Sequence, residues 1–186
     1  MTNVGTATSR SAIAGLMNGV VAFTVLSAGC DRFLPQRDEP MPPLEEVERI
    51  YNENGLRAAD ISFDGNVIVI RASQDPEHLR RGGSLWARVG PYIYTFNPGT
   101  QIIWDRYPGV AAVRAITTTE SGTEVARATL RQGELNELTW RRTLNLLGHA
   151  INEGTRRPSL LLDLVEWGEE HTTFRYNREF VPEASS

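Results

Sequence analysis

The chain has 186 residues, of which 40% are hydrophobic, and a formal net charge of −4 at pH 7. This length is enough for one domain with a buried core, while the acidic balance argues against nucleic acid, which needs a basic surface. All 19 basic residues are arginine, which excludes chemistry that needs a lysine, such as Schiff-base formation or a P-loop.

An uncharged run near the N-terminus predicts a membrane anchor. Residues 11–29 carry no charge, Arg10 precedes them, and the run leads into LSAGC at residues 26–30. A basic start, an apolar middle and a small-residue exit are the parts of a secretory signal peptide. The exit resembles the lipobox of bacterial lipoproteins, a likeness confined to residues 1–30. This resemblance implies that a diacylglycerol is attached to the sulfur of Cys30 and that residues 1–29 are cleaved off.

The cysteine count supports lipidation. Cys30 is the only cysteine, so it forms no internal disulfide, and a lipid on its sulfur would protect an exported thiol. The alternative is that residues 1–29 stay as an uncleaved membrane helix, since the uncharged run is just long enough to span a bilayer. In both cases the membrane is a partner. Asp31 resembles the signal for retention of enterobacterial lipoproteins in the inner membrane, which favours that membrane. We expect no cofactor besides the covalent lipid.

A proline-rich stretch separates the anchor from the folded part. Residues 30–43 hold four prolines and mixed charges, which is typical of an extended, semi-rigid tether. We therefore predict four regions: a signal peptide or anchor at 1–29, the lipidated tether at 30–43, a globular domain at 44–181 and a loose tail at 182–186.

The first elements of the globular domain are a helix and a hairpin. Helical spacing of apolar residues begins at Leu44 and Gly55 ends it. Two β-branched and aromatic runs, 61–63 and 67–70, flank an Asp-Gly-Asn turn and predict a β-hairpin.

The middle of the chain is rich in aromatic residues. Asp75 followed by proline predicts the capped start of a helix, which Gly82 and Gly83 are expected to end. Further on we predict a short helix at 84–89, an irregular aromatic segment up to Phe96 and a helix near 100–107.

The last third of the chain predicts two strands, two helices and a short final strand. The strands are 110–119 and 123–131, and in the second Val125, Arg127, Thr129 and Arg131 alternate with small apolar residues, which predicts one solvated face. Thr139 is expected to cap a helix that ends at Gly154, a second helix begins at Pro158, and residues 172–176 form the last strand.

These elements predict an α+β fold in which helices pack on a small antiparallel sheet. The strands come in hairpins, and no β-α-β repeat is evident.

The sequence shows no catalytic motif. GxSxG, GxGxxG and the P-loop pattern are absent. His149 and Glu153 have helical spacing, but no second histidine completes an HExxH zinc site. Asp105 beside Trp104 has the residue types of a sugar-cleaving site, although a helix surface explains it as well. We therefore expect a protein that is not an enzyme and binds no metal.

Aromatic and arginine residues suggest a protein interface instead, because these types are enriched in binding sites. We predict Trp86, Tyr92 and Tyr94 as apolar anchors and Arg141 with Arg142 as a charged rim. The aromatic residues are equally typical of a buried core.

The leading hypothesis is a non-catalytic, membrane-anchored periplasmic lipoprotein that acts as an accessory or scaffold subunit of a membrane protein complex. The alternatives are an envelope hydrolase that works through carboxylates and a periplasmic solute-binding domain.

Overall fold

Five helices and a five-stranded sheet form the part of the chain that the structure, a computed structural model, describes: residues 40–56 and 59–181. This architecture confirms the predicted α+β fold. The predictions for the anchor at 1–29 with Cys30, for nearly all of the tether and for the tail at 182–186 lie outside the described residues.

The elements follow one another with short connections in most places. The helices are α1 (Leu44–Glu53), α2 (Pro76–Thr95), α3 (Pro98–Arg106), α4 (Glu137–Glu153) and α5 (Pro158–His171). The strands are β1 (Asp60–Asp64), β2 (Val67–Ser73), β3 (Ala112–Thr118), β4 (Glu124–Arg131) and β5 (Thr173–Tyr176). The predicted hairpin, the two strands of the last third and the final short strand are all present.

The sheet is mixed, and the prediction of an antiparallel sheet was wrong in this respect. Its strands lie in the order β1-β2-β3-β4-β5. Three neighbouring pairs are antiparallel, but β2 and β3 are parallel. A parallel pair needs a long crossover connection, and α2 and α3 together provide it. The sequence predicts these helices, but not that they return the chain to the end of the sheet at which β2 begins.

The helices pack on one face of the sheet. Alternate strand residues on that face are fully buried, among them Ile68, Ile70, Val113 and Leu130. In β4 the predicted alternation holds from residue 126 to residue 131, since Ala126, Ala128 and Leu130 are fully buried while the residues between them point to the other face. Burial of these side chains and of the facing helix residues is the main stabilising contribution to the fold.

Helix α2 consists of two segments that meet at a kink. Gly83 has φ 56° and ψ −144°, a non-helical conformation that few other residues adopt, so the first segment is interrupted there, as the two adjacent glycines predict. The second segment, predicted as a short helix at 84–89, is longer than predicted. Pro91 lies inside the helix, which nevertheless continues to Thr95. Tyr92 and Phe96 near its end are fully buried, so tertiary packing outweighs the lost backbone hydrogen bond.

The helix caps agree with the sequence at α2 and differ at α4. The carboxylate of Asp75 accepts a hydrogen bond of 2.7 Å from the backbone N–H of Glu77, as a capping acid does. The cap of α4 is Asn136, whose side chain accepts hydrogen bonds from the backbone N–H groups of Leu138 and Thr139. Thr139 was predicted to be the cap but lies inside the first turn.

Candidate functional site

The face of the sheet opposite the helices, which we call the open face, carries a row of arginines. The strand register places Arg71 of β2, Ile116 of β3, Arg127 of β4 and Arg175 of β5 side by side. Neighbouring strands lie about 4.8 Å apart, so the Cα atoms of Arg71 and Arg175 are about 14 Å apart across the sheet.

Two more arginines lie on the open face, in the rows beside this one. Arg114 stands in the next row and donates a hydrogen bond of 2.9 Å to Asp64 and one of 3.4 Å to the hydroxyl of Thr129. Arg131 follows one row further on and is exposed. We call the five residues together the arginine face: Arg71, Arg114, Arg127, Arg131 and Arg175.

Apolar side chains lie between the arginines. Val69 and Ile116 also belong to the open face, but they are only 4% and 7% exposed. Their neighbours in the sheet are arginines, whose aliphatic stems cover apolar surface while the guanidinium groups stay in water. The open face therefore presents charge to the solvent with little exposed hydrocarbon.

A β-bulge brings one carboxylate into the arginine row. The register between β3 and β4 shifts at Thr117 and Thr118, so that Thr117 pairs with Ala126 and Thr118 with Glu124. The extra residue, Val125, is fully buried on the helix side, although the sequence alternation had placed it on the solvated face. Bulges turn the following side chains to the other face, and this one places Glu124 beside Arg127.

The Glu124 carboxylate is the centre of the local charge. Arg127 donates two hydrogen bonds to it, Nε to Oε1 at 2.7 Å and Nη2 to Oε2 at 2.5 Å. These hydrogen bonds, and the nearby charges of Arg127, Arg175 and Arg71, hold the pKa of Glu124 below its usual value despite partial burial. Three guanidinium groups thus act on one carboxylate, Arg127 by direct hydrogen bonds and Arg71 and Arg175 through their charge, and the cluster has an excess of positive charge.

A cleft at the edge of the sheet opens beside this cluster. Its volume is about 700 Å³, and Glu124, Arg127, Arg175 and Asn177 belong to its lining. The side-chain amide of Asn177 donates a hydrogen bond of 2.8 Å to the backbone carbonyl of Glu124. This contact ties the end of β5 to the bulge, which fixes the position of Arg175 relative to Glu124.

The three aromatic residues that the sequence predicted as anchors differ in exposure. Trp86 is half-buried and stacks on His78, with 4.3 Å between ring centroids. Tyr94 is half-buried against the core, and burial raises its pKa. Tyr92 is fully buried, so its ring belongs to the core and offers no surface to a partner in this fold.

The two predicted rim arginines lie at the start of α4. Both are exposed; Arg141 is 3.6 Å from Glu137, and the Arg142 guanidinium lies 4.2 Å from the centroid of the Trp167 ring. Trp86 lines a cleft near Gly154, at the other end of the same helix. With a rise of about 1.5 Å per residue, Arg142 and Gly154 are roughly 18 Å apart along α4. The structure therefore places Trp86 and the two rim arginines near opposite ends of α4.

A second cleft, of about 480 Å³, contains Asp105 and Trp104, the neighbouring residues whose types suggested a sugar-cleaving hydrolase. Asp105 and Glu137 both line it, together with Trp104 and Trp140. The two tryptophans meet edge to face and are only 8% and 5% exposed. The Trp104 Nε1 atom is buried and has no hydrogen-bond partner within the described residues.

In residues 40–56 and 59–181, no group of three or more histidine, cysteine or acidic side chains is arranged to hold a metal ion. Across the same residues, no helix has the length and apolar character needed to cross a membrane.

Comparison with known proteins gives no match: no protein-family model, no curated protein and no solved structure matches this chain.

The sequence alone does not reveal the arginine face, although it contains one signal for it. The alternation of Arg127, Thr129 and Arg131 in β4 predicted a solvated strand face. Arg71 and Arg175 are distant from that strand in sequence, and only the strand order places them in the same row.

Proposed function

We propose that the protein is a non-catalytic, membrane-anchored periplasmic lipoprotein that binds a subunit of a membrane protein complex through the open face of its sheet. The observation that supports this proposal most is the arginine face. One face of the sheet is covered by helices, and the other presents ordered charged side chains in a defined register. Arginine is enriched in protein interfaces because its planar group forms several directed hydrogen bonds.

The size of the open face indicates a weak contact. The face measures about 19 Å from β1 to β5 and about 23 Å along a seven-residue strand. This area is well below the roughly 800 Å² per partner of a standard stable interface. A lipid on Cys30 would compensate, because a tethered domain meets a membrane-embedded partner at a high effective concentration. The predicted anchor and the small charged face thus support the same role.

The anchor is tested with Cys30→Ser in the native host. We expect the wild-type chain to sediment with membranes and the variant to be released or to remain an unprocessed precursor. Intact-mass measurement of the membrane-extracted protein should show a lipidated chain that begins at Cys30. A chain that begins at Met1 with an unmodified thiol would contradict lipidation.

The accessory role is tested by purification from detergent-solubilised membranes. We expect a partner to copurify in a fixed ratio with the wild-type chain. A chain that elutes alone from membranes under several mild detergents would argue against a complex.

The cleft that holds Asp105 and Glu137 supports a second candidate, an envelope hydrolase that works through carboxylates. Two carboxylates on one cleft are the minimum that glycoside hydrolysis requires. Asp105→Asn should then abolish turnover of cell-wall oligosaccharides while Asp163→Asn, a change of another exposed acid on α5, leaves it intact. If the wild-type chain shows no turnover, this candidate is wrong.

A further inference from the structure

We propose that the arginine face binds an acidic segment of a protein partner, with Arg71 and Arg175 as the main contacts. This inference rests on the proposed function, since the partner is the subunit that the anchored protein meets at the membrane. The expected ligand is a segment of one protein chain that carries several aspartate or glutamate carboxylates.

Arg71 and Arg175 have spare hydrogen-bonding capacity. Both side chains are exposed, and within residues 40–56 and 59–181 neither guanidinium makes a hydrogen bond or an ion pair. Each acts on Glu124 only through its charge. A guanidinium group carries five N–H donors in a fixed plane and pairs with carboxylates through two parallel hydrogen bonds. These two arginines can therefore bind incoming carboxylates without breaking a contact of the fold.

The spacing of the two arginines suits an extended acidic segment. Side chains on one side of an extended chain recur about every 6.6–6.8 Å, so residues four apart are about 13 Å from each other. The Cα atoms of Arg71 and Arg175 are about 14 Å apart across the strands. A segment that crosses the sheet could thus place two carboxylates four residues apart, one at each arginine.

Other features of the arginine face favour a protein over a lipid surface. The open face around these arginines also holds three acidic residues, Asp60, Asp64 and Glu124, which an anionic membrane would repel. Peripheral membrane binding is strengthened by apolar side chains that insert between lipids. The large exposed apolar side chains of the described residues are Met41, Leu138, Ile151, Leu162 and Phe174, and none of these stands on the arginine face. Phe174 is on β5 but pairs with Ala128, on the side of the helices.

Glu124 acts as an internal competitor for the same site. Its carboxylate occupies Arg127 with two hydrogen bonds and attracts Arg71 and Arg175. A carboxylate of the bound segment is repelled by Glu124. It also binds Arg127 more weakly than it would bind an arginine that has no carboxylate partner. Removal of this charge should therefore strengthen binding, an effect opposite to that of removing the arginines.

The test uses a fluorescently labelled peptide of alternating glutamate and serine, titrated by fluorescence anisotropy with the full-length chain in detergent. We expect binding that weakens with added salt. Arg71→Glu with Arg175→Glu should weaken it about tenfold or more, since two contacts are replaced by repulsion. Glu124→Gln should tighten it several-fold. The matched control is Arg156→Glu with Arg157→Glu, which changes the net charge equally at two exposed residues between α4 and α5.

Three outcomes would overturn the proposal. The first is equal weakening in the arginine-face and control variants, which would make the attraction a matter of net charge. The second is an unchanged or weakened affinity in Glu124→Gln. The third is binding of the wild-type chain to vesicles with phosphatidylglycerol, lost in the arginine-face variant, without binding of the peptide. Circular dichroism and thermal unfolding check that each variant is folded, and Arg71→Ala with Arg175→Ala provides a milder version of the main variant.

The peptide assay does not depend on the anchor or on the native partner. If copurification fails while the peptide binds as expected, the proposed membrane-complex role is wrong and the acidic-ligand site stands. If a partner copurifies while the peptide result fails, the accessory role stands and its interface lies elsewhere.

Discussion

Tyr92 of α2 donates a hydrogen bond of 2.7 Å to the hydroxyl of Tyr176 in β5, which in turn donates one of 2.9 Å to Glu169. Arg88 donates to the same Glu169 oxygen at 2.6 Å. This network ties the last strand to α2 and α5. Tyr176 directly follows Arg175 in the strand, and adjacent strand residues point to opposite faces. The network on the helix side therefore holds Arg175 in place on the arginine face.

Tyr176→Phe should destabilise the fold. The change removes a hydroxyl that makes two hydrogen bonds, and it leaves Tyr92 and Glu169 without that partner. Loss of partners for buried polar groups costs about 1–3 kcal/mol, which urea unfolding would measure. Tyr107→Phe is the control, because Tyr107 is half-buried and its hydroxyl makes no hydrogen bond within the described residues. Equal stability of both variants would mean that the network contributes nothing.

Stability should fall at alkaline pH because of buried tyrosines. Burial raises the pKa of Tyr51, Tyr92 and Tyr176 above the usual value. In the unfolded chain these groups lose their protons from about pH 10, while the folded chain keeps them protonated. The free energy of unfolding is therefore highest below about pH 10 and decreases as pH rises above it, by at most about 1.4 kcal/mol per pH unit and tyrosine.

Urea unfolding between about pH 8 and pH 11 measures this dependence. Tyr51→Phe should make the alkaline decline shallower, since this fully buried tyrosine no longer titrates on unfolding. If Tyr51→Phe keeps the wild-type slope, burial of Tyr51 has no part in the effect.

Gly168→Ala should destabilise the protein, whereas Gly148→Ala should not. Both glycines are in helices, where alanine is intrinsically favoured by about 0.5–1 kcal/mol. A Cβ atom at Gly168 would overlap the fully buried ring of Tyr92, while one at Gly148 would meet open space. Overpacking of this kind costs about 1–3 kcal/mol. Thermal unfolding should therefore show a lower Tm for the first variant and an equal or higher Tm for the second.

The two C-terminal helices should contribute strongly to stability. Leu147 of α4 and Leu161 of α5 are 6% and 2% exposed, as the helical spacing of the sequence predicts. Each change to alanine should lower the free energy of unfolding by about 2–5 kcal/mol, the usual cost of such core truncations. Leu162→Ala is the control, because Leu162 is 39% exposed and should cost much less. Unchanged melting temperatures for the first two variants would contradict this assignment of helix faces.

Local features of the fold were predictable, and the long-range ones were not. The Asp-Gly turn, the cap at Asp75 and the alternation in β4 each depend on residues close in sequence, which is why they could be read directly. The parallel pairing of β2 with β3 depends on where α2 and α3 pack. The interruption of α2 at Gly83 was predictable from the two adjacent glycines. The length of its second segment, which continues past Pro91 to Thr95, depends on buried residues near its end.

In the candidate site, too, the local features were predictable and the long-range ones were not. The sequence marked Arg127 and Arg131 as solvated, but the neighbours of Arg127 come from β2 and β5. The bulge that brings in Glu124 has no sequence signature here, since Val125 continues an apparently regular alternation. Tyr92 was predicted as an anchor because an aromatic-rich stretch is compatible with both a core and an interface. Its complete burial follows from its place between α5 and β5, which the sequence does not reveal.

Arg142 and Arg141 should respond differently to substitution although they are adjacent. The Arg142 guanidinium lies over the Trp167 ring at 4.2 Å from the centroid, and such cation–π contacts stabilise exposed sites by about 0.5–1 kcal/mol. Arg141 makes only a solvent-exposed ion pair of 3.6 Å with Glu137, whose contribution is near zero. Urea unfolding should therefore show a measurable loss for Arg142→Ala and none for Arg141→Ala.

The same two arginines test the interface that the sequence predicted. If they form a charged rim, then Arg141→Glu with Arg142→Glu should weaken copurification of the membrane partner, while the arginine face remains intact. Trp86 lies near the other end of α4, so Trp86→Ala should not weaken copurification further by removing a contact that the two arginines share with it. Full copurification of the double variant, together with loss in Arg71→Glu with Arg175→Glu, would place the interface on the sheet and exclude α4.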